Sequence, residues 1–308
     1  MAPTYGYHTA ATETIAEHQQ KLLIFAPRNP EGMRPTAEEI TRKHPDVAVR
    51  TVQLDPSSLA SVHKAADEVV EMQNRDGVVI DVLMLNAGAM ASPYAQTQDG
   101  FESQFGTNHL GHFFFANRII PDMLGAGGKP RVISVSSEGH RFGPIRFADI
   151  GFQRTPSPPC RLRRSFGAQG LLALSLHPGA IMTNLGRHID VQGDDMQGIM
   201  AAFERFGNPR GFPEYWETHP FKTVDEGTSA HVVAAFGDGL AEYNGAFLRD
   251  AHLAEPYDIR PWARDPVEAE RLWKVSEEMV GEKFDFKCLL RHFSRIHHLL
   301  GTTSQPMF

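Results

Sequence analysis

Short apolar runs alternate with amphipathic stretches along most of this chain, and this alternation predicts its secondary structure. Apolar runs of strand length predict buried strands at 21–26, 47–54, 78–85, 131–135, 171–176 and 245–248. Stretches with helical spacing predict helices at 35–44, 59–70, 101–124, 225–236 and 265–284. Strands that alternate with helices in this way are typical of βα units wound around a parallel sheet. The sequence therefore predicts an α/β fold.

The same pattern predicts one domain at 21–285, because no internal repeat or low-complexity tract interrupts it. Residues 1–20 are interpreted as an N-terminal extension and residues 286–308 as a C-terminal tail. Residues 186–222 contain Gly, Pro and aromatic residues without periodicity, and this composition predicts a long loop region.

Composition narrows the classes of partner. The net charge is −7 and no Lys/Arg-rich block stands out, which argues against a nucleic acid or an anionic membrane as partner. No apolar run approaches the roughly 20 residues that a membrane span needs. Only Cys160 and Cys288 occur, and so few cysteines favour a reducing compartment such as the cytoplasm. The expected partner is a small-molecule substrate, and a homo-oligomer is left open.

Polar and small residues follow several of the predicted strands. Asn86, Ala87 and Gly88 stand directly after the run 78–85. Ligands of parallel α/β sheets lie in the crevice beyond such strand ends, and small residues there let the backbone approach a ligand closely. The tripeptide alone is a weak signal, because many strand-ending turns use Asn and Gly.

Three further features strengthen this interpretation. Asn108 lies in the middle of a predicted long helix, where Asn usually needs a hydrogen-bonding reason. The run 131–137 delivers serine hydroxyls to the same predicted edge, and His177 to Thr183 form a strand end, a Pro-Gly turn and a threonine. Together these elements indicate a ligand cleft at the carboxyl ends of the strands.

Four such elements in this order resemble the short-chain dehydrogenase/reductase family. The segments 136–143 and 225–229 are similar to a branch with retinol-dehydrogenase-like and WW-domain-oxidoreductase-like enzymes and fungal secondary-metabolism reductases. The resemblance implies a Rossmann-like doubly wound parallel sheet and an NADP-dependent oxidoreductase. Its expected substrate is a small lipophilic carbonyl compound or alcohol, in a secondary-metabolite pathway.

On the adenosine side of the cofactor, the resemblance implies that Asp55 contacts the adenine ring and that Asn86, Ala87 and Gly88 line the cleft. Arg28 follows the strand whose end faces the adenosine ribose. A guanidinium there can pair with a 2′-phosphate, which favours NADP over NAD.

On the reacting side, the resemblance implies that Ser137 hydrogen-bonds the substrate carbonyl and that Asn108 holds the water of a proton relay. Ile181 and Thr183 would meet the nicotinamide carboxamide and the pyrophosphate. Arg118 occupies a helix position where related enzymes often have a basic residue. No metal site is expected, because His292, His297 and His298 have no clear acidic or thiol partner.

Two segments of the family pattern are absent from the sequence. The family uses a Tyr-x-x-x-Lys pair on the helix before the Pro-Gly strand, but residues 138–170 contain neither Tyr nor Lys. The Pro-rich run 154–164 cannot continue a helix, so the sequence predicts that the catalytic helix is absent.

The glycine-rich phosphate turn is the other absence. Only Gly6 and Gly32 precede Gly77, and 21–26 match the family's second strand, so the first strand, turn and helix are expected to be missing. Alternatively, 21–26 take the central position that the first strand normally has. The loss of two whole segments between matched regions favours exon skipping or mis-splicing over gradual divergence.

Three functional alternatives follow. The chain is an oxidoreductase by family that lacks the usual proton-transfer pair, a non-catalytic binding or scaffold protein, or a redox-independent isomerase or cyclase. In the last case Ser137 and His140 are the candidate reactive groups, and His177 is a second histidine near the same edge.

Overall fold

The computed structural model describes residues 7–18, 20–152, 170–188, 197–198, 201 and 220–284. The described helices of ten or more residues are α1 (Tyr7–Ala16), α2 (Pro30–Lys43), α3 (Leu59–Asp76), α4 (Gly111–Gly125), α5 (Val224–Phe236) and α6 (Pro266–Val280). The described strands are β1 (Leu22–Phe25), β2 (Ala48–Thr51), β3 (Val82–Leu85), β4 (Arg131–Val135), β5 (Leu172–His177), β6 (Phe247–Arg249) and β7 (His252–Leu253).

The strands form two separate sheets. One sheet holds β1 and β2 in parallel, and the other holds β3-β4-β5-β6-β7 in that order. All pairs in the larger sheet are parallel except β6 with β7, which form an antiparallel hairpin. The predicted α/β fold with a parallel sheet is confirmed, whereas the antiparallel β7 was not foreseen.

Helices cover both faces of the larger sheet. Val132 and Ala173 pack in a core with α3 and α4, while their neighbours Ile133 and Leu174 pack in a second core with α5. Successive side chains of a strand point to opposite faces, so the alternation places one helical layer on each side. This is the doubly wound arrangement that the resemblance implies.

The segment before β1 differs from expectation. From the sequence, residues 1–20 are interpreted as an N-terminal extension with no assigned element, but α1 lies in this segment and contacts α5 and α2. Ala16 is fully buried in a small core with β1, and the His18 ring stacks on Phe236 with centroids 4.8 Å apart. Within the described residues no strand precedes β1.

Among the described strands, the two sheets share no strand pair: β1 pairs with β2, and β3 pairs with β4. If 21–26 occupied the central position, β1 would pair with β3, but its described partner is β2 and the two strands belong to different sheets. That alternative is therefore wrong. The resemblance would place the family's first strand between these two sheets. The Pro-rich run 154–164 and the tail 286–308 lie outside the described residues.

Gly111 at the start of α4 allows a close backbone approach. A Cβ at this position would lie 2.2 Å from the carbonyl oxygen of Pro56, in the loop after β2. We expect Gly111→Ala to lower the free energy of unfolding by about 1–3 kcal/mol, because the backbone contact must separate. Urea denaturation measures this, with Gly125→Ala as the matched control.

The control lies in the same helix, and no heavy atom lies within 4 Å of a Cβ built at Gly125. It should leave stability unchanged or slightly higher, because Ala is the better helix former. Equal effects of the two substitutions would contradict the close approach at Gly111.

Candidate active site at the carboxyl edge of the sheet

The strand register brings the predicted site segments to one edge. Leu85 pairs with Ser134, and Ser134 pairs with Ser175. Beyond these pairs, the Ser136 amide donates to the Leu176 carbonyl at 2.7 Å. Because all three strands are parallel, the residues after Leu85, Val135 and Leu176 lie side by side. The segments 86–88, 136–137 and 177–183 therefore share the carboxyl edge.

Asn108 ties the first of these segments to the long helical region. It lies in a π-helical turn, Gly106–Leu110, that precedes α4. Its Oδ1 accepts from the Ala89 amide and its Nδ2 donates to the Ala89 carbonyl, both at 2.7 Å. The prediction that this mid-helix Asn makes side-chain hydrogen bonds is thus confirmed. The π-helical turn that holds it is of a kind frequent at functional sites. The side-chain amide is engaged by Ala89, so holding a relay water stays a prediction.

We expect Asn108→Ala to lower the free energy of unfolding by about 1–3 kcal/mol, because both backbone groups of Ala89 lose their partner. Hydrogen exchange of the Ala89 amide should accelerate in the same variant. Asn108→Asp is the matched variant, since it keeps an acceptor for the amide and places a carboxylate against the carbonyl. Unchanged exchange at Ala89 in Asn108→Ala would contradict this role.

Ser137 begins a short 3-10 helix, Glu138–Phe142, at the end of β4. Its Oγ accepts from the Gly139 amide at 3.1 Å, so this contact leaves the hydroxyl hydrogen for another acceptor. The side chain is partly exposed at the strand ends. The predicted contact with a substrate carbonyl is compatible with this geometry.

His140 is buried, and both of its ring nitrogens lie close to backbone carbonyl oxygens. It is 3 % exposed, with Nδ1 at 2.9 Å from the Ser137 carbonyl oxygen and Nε2 at 3.3 Å from the Asp258 carbonyl oxygen. Trp262 Nε1 donates to the His140 carbonyl, and the His140 ring meets Phe247 edge-on. These contacts give His140 a structural function, so the isomerase or cyclase alternative gains no support from it.

A buried ionic cluster lies beside Ser137. Glu138 accepts from Arg141 Nε at 2.5 Å, and its other oxygen lies 3.3 Å from Arg249 Nε. Arg249 Nη1 donates to Asp258 Oδ1 at 2.6 Å, and Arg141 donates to the Asp258 carbonyl at 2.7 Å. Burial alone would raise the pKa of Glu138, but His177, Arg141 and Arg249 together hold it below its ordinary value. The cluster joins the Ser137 turn to the segment after β6.

His177 ends β5 next to this cluster. Burial lowers its pKa to about 4, against the opposing effect of the carboxylates of Glu138 and Asp250. Its Nδ1 and the Oγ of Ser136 are buried, and neither has a hydrogen-bond partner among the described residues. A bound water or a ligand group at this edge would satisfy such atoms.

Two of the residues predicted to bind the cofactor, Asp55 and Arg28, lie in the loops that follow β2 and β1. Asp55 Oδ1 accepts from the amide and hydroxyl of Ser57, and the Asp55 amide donates to Ser61 Oγ at 2.9 Å. Arg28 is exposed in the loop after β1. Both therefore lie beyond the carboxyl ends of β1 and β2, as the resemblance implies.

Arg118 is not brought to this edge. Its guanidinium pairs with Asp67 on α3 and with Glu282, both at 2.9 Å. Ten helical residues separate it from Asn108, which amounts to about 15 Å along the axis. These ion pairs connect α4 to its neighbours, so its place in the cofactor site stays an unsupported prediction.

The strand-end half of the site fits a dinucleotide. Ala87 is small and exposed, Ile181 and Thr183 are partly exposed, and the two unpartnered polar atoms belong to Ser136 and His177 at the ends of β4 and β5. The pyrophosphate half is not matched, because the described residues before β1 hold only α1 and its flanks. The segment 153–169, where the family carries its Tyr-x-x-x-Lys pair, is outside the described residues. In the described part of the chain, no group of three His, Cys, Asp or Glu side chains could hold a metal ion.

The ionic cluster beside Ser137 was not predicted from the sequence, and neither was a separate ion pair between Lys222 and Asp250. Glu138 and Arg141 are three residues apart, which is a weak signal for an ion pair on a helix. Arg249, Asp258 and the Lys222–Asp250 pair gave no signal, because their partners are distant in sequence.

The family model described as "short chain dehydrogenase" matches residues 4–148, a range that includes α1. Human "Retinol dehydrogenase 13" is 31 % identical over 274 residues, which cover 84 % of this chain and 77 % of that protein. "Oxidoreductase calI" from Penicillium decumbens is 30 % identical in an alignment that covers 90 % of this chain and 85 % of that protein.

Solved structures show the same fold. A crystal structure of an uncharacterized protein from Mycobacterium paratuberculosis has a TM-score of 0.58 and 24 % identity, over 91 % of each chain. An alcohol dehydrogenase from Thermococcus sibiricus, complexed with 5-hydroxy-NADP, has a TM-score of 0.50 and 17 % identity, over 84 % of this chain and 96 % of that one.

Proposed function

The chain belongs to the short-chain dehydrogenase family of oxidoreductases, and from this premise we propose that it is an NADP-dependent oxidoreductase of small lipophilic carbonyl compounds or alcohols. One observation carries the proposal. The register of β3, β4 and β5 brings 86–88, Ser137 and 177–183 to one edge, where Asn108 fixes the first segment through Ala89.

In this proposal Arg28 pairs with the 2′-phosphate of the cofactor and Asp55 contacts its adenine ring. Asn86, Ala87 and Gly88 line the adenosine side, while Ile181 and Thr183 meet the nicotinamide end. The cofactor supplies or accepts a hydride, and Ser137 donates a hydrogen bond to the substrate oxygen. Arg28 supports NADP over NAD because its exposed guanidinium can form paired hydrogen bonds to a phosphate.

Exposed apolar side chains support a lipophilic substrate. Met182 is 71 % exposed and Phe221 is 58 % exposed. A parallel β-bridge between Ile181 and Lys222 brings the two segments that carry these side chains together at the carboxyl edge. Curated relatives carry the names retinol dehydrogenase and oxidoreductase, and several are fungal, which supports a place in secondary metabolism.

Titration of the purified chain with NADPH and NADH, followed by cofactor fluorescence, tests the proposal. NADPH should bind more tightly than NADH, and Arg28→Ala should weaken NADPH binding by roughly tenfold, the loss of one charged hydrogen bond. Arg34→Ala is the matched control, because Arg34 is an exposed arginine of α2 and should leave both affinities unchanged. No binding at millimolar cofactor would reject the oxidoreductase proposal for this chain.

A second candidate is a non-catalytic family member that binds a small molecule or serves as a scaffold. One observation favours it: residues 138–170 contain neither the tyrosine nor the lysine of the family's proton-transfer pair. Cofactor oxidation with a panel of aldehydes, ketones and retinoids separates the two candidates. NADPH binding without turnover of any panel member supports the second, whereas turnover that Ser137→Ala abolishes supports the first.

We also propose a cytoplasmic location, supported by the two cysteines in 308 residues. Within the described ranges, no helix combines the length and the apolar character that a membrane crossing requires. Size-exclusion chromatography with light scattering would decide whether the chain forms a homo-oligomer.

A further inference from the structure

Lys222 runs alongside the loop that follows β5. Its amide donates to the Ala180 carbonyl at 2.8 Å, and a parallel β-bridge pairs it with Ile181. Lys222 lies 39 residues beyond Thr183, the end of this loop, so tertiary structure brings the two together. The backbone contacts fix the middle of the segment 178–183.

The Lys222 side chain then crosses the start of the same loop. A Cβ built at Gly179 would lie 2.6 Å from Lys222 Cδ, 3.1 Å from Cε and 3.3 Å from Cγ. Gly179 also has a φ of +100°, which side-chain-bearing residues rarely adopt. The lysine chain therefore lies directly on the glycine, and only glycine suits both the backbone shape and the space.

Asp250 holds the end of the lysine. The Lys222 ammonium donates to Asp250 Oδ1, and the two side chains are 25 % and 41 % exposed. Asp250 and Ala251 form the two-residue turn between β6 and β7, with φ of 51° and 63°. Such turns strongly prefer Asn-Gly or Asp-Gly, so an alanine with positive φ is strained. Strain of this kind persists where the surroundings enforce it and is frequent at ligand sites.

The electrostatic surroundings keep Asp250 charged. Burial acts to raise its pKa, but the hydrogen bond and charge of Lys222, with Arg249 and His177, hold that pKa below its ordinary value. The ion pair therefore persists at neutral pH.

We propose that Lys222 and Asp250 form a clamp that fixes the segment 178–183 in the shape that receives the cofactor's nicotinamide end. They are positioning residues: Lys222 acts on the loop through Gly179, Ala180 and Ile181. The part of the proposal that concerns the nicotinamide rests on the proposed function. The clamping of the loop by Lys222 and Asp250 does not.

Two substitutions remove the ion pair with little other change. Asp250→Asn keeps a residue that tolerates positive φ, and Lys222→Met keeps an apolar chain over Gly179. Hydrogen exchange measured by mass spectrometry should be faster in 180–186 in both variants. NADPH binding should weaken on the order of tenfold, as expected when the competent loop shape falls to about a tenth of the population. The melting temperature of the whole protein should stay within about 2 °C, since partly exposed pairs contribute little to stability.

Two further variants serve as controls. Lys222→Arg should retain the slow exchange, because a guanidinium can still pair with Asp250. Lys274→Met removes an ion pair of similar type on α6, between Lys274 and Glu270 at 2.6 Å, and should change neither exchange in 180–186 nor NADPH binding.

The outcomes separate the clamp from the proposed function. Unchanged exchange in 180–186 in Asp250→Asn overturns the clamp. Faster exchange with unchanged NADPH affinity overturns its positioning role. If the unsubstituted protein binds no NADPH, the proposed function and the positioning role both fail, while the exchange comparison still decides whether the loop is clamped.

Discussion

Replacing Glu138 by alanine is expected to lower the free energy of unfolding by about 3–5 kcal/mol, the usual result of removing one partner from a buried ion pair. Glu138 lies between Arg141 and Arg249, whose side chains are 7 % and 11 % exposed. Without the carboxylate, two buried guanidinium groups would lose the counter-charge that they share, although both would still pair with Asp258. The loss corresponds to a fall in melting temperature of roughly 10 °C.

Thermal and urea denaturation measure this effect, with Glu138→Gln as the second variant if the alanine variant does not fold. Glutamine keeps the shape and the acceptor oxygen but removes the charge. The free energy of unfolding of Glu138→Gln should therefore lie between those of the unsubstituted protein and of Glu138→Ala. Glu39→Gln is the matched control, because Glu39 and Arg42 form an exposed i,i+3 pair on α2 that should contribute nothing measurable. Similar effects of Glu138→Ala and Glu39→Gln would contradict a buried cluster.

Acidification between pH 6.5 and pH 4 is expected to destabilise the protein through His177. Burial lowers the pKa of His177 to about 4, whereas in the unfolded chain the pKa is near 6.5. In this interval the unfolded chain binds a proton and the folded chain does not. The free energy of unfolding therefore falls as the pH decreases, by up to about 3 kcal/mol at pH 4. Above pH 6.5 the residue is neutral in both states and has no such effect.

The measurement compares stability from pH 7 to pH 4 in the unsubstituted protein and in His177→Asn. The variant should show a flatter pH dependence, most clearly between pH 6.5 and pH 5, where Asp and Glu remain mostly ionised. Glu138, His140, Arg249 and Asp250 face the imidazole in the unsubstituted protein. The pKa values of Glu138 and Asp250 lie below their ordinary values, so the interval from pH 6.5 to pH 5 reports mainly on His177. Parallel curves for His177→Asn and the unsubstituted protein would contradict a neutral buried imidazole.

The strands and their functional ends could be predicted from the sequence because their signal is local. Apolar runs at 131–135 and 171–176 match β4 and β5 within one residue, since a strand covered on both faces is apolar along most of its length. Asn86 and Ser137 stood directly after such runs, so their place at the carboxyl edge followed from the parallel fold.

Other elements were missed or misplaced for physical reasons. The helix α2 begins at Pro30, although the sequence predicted a start at 35, because Pro is well suited to a first helical position and Pro35 is accommodated inside the helix. Helix α1 lacks a strong apolar stripe, and its burial depends on contacts with α5 and α2. Local periodicity cannot reveal an element that tertiary packing stabilises.

By itself, the sequence determined the α/β class, the positions of most strands along the chain, the polar residues at their ends and the absence of Tyr and Lys from 138–170. Only the tertiary structure decided what those polar residues contact. It joined Glu138 to Arg249, placed Lys222 over Gly179, and directed Arg118 away from the sheet edge to Asp67 and Glu282. The reason is that strand and helix periodicity is set by neighbouring residues, whereas partners distant in sequence are chosen by the packing of whole elements and by the need to pair every buried charge.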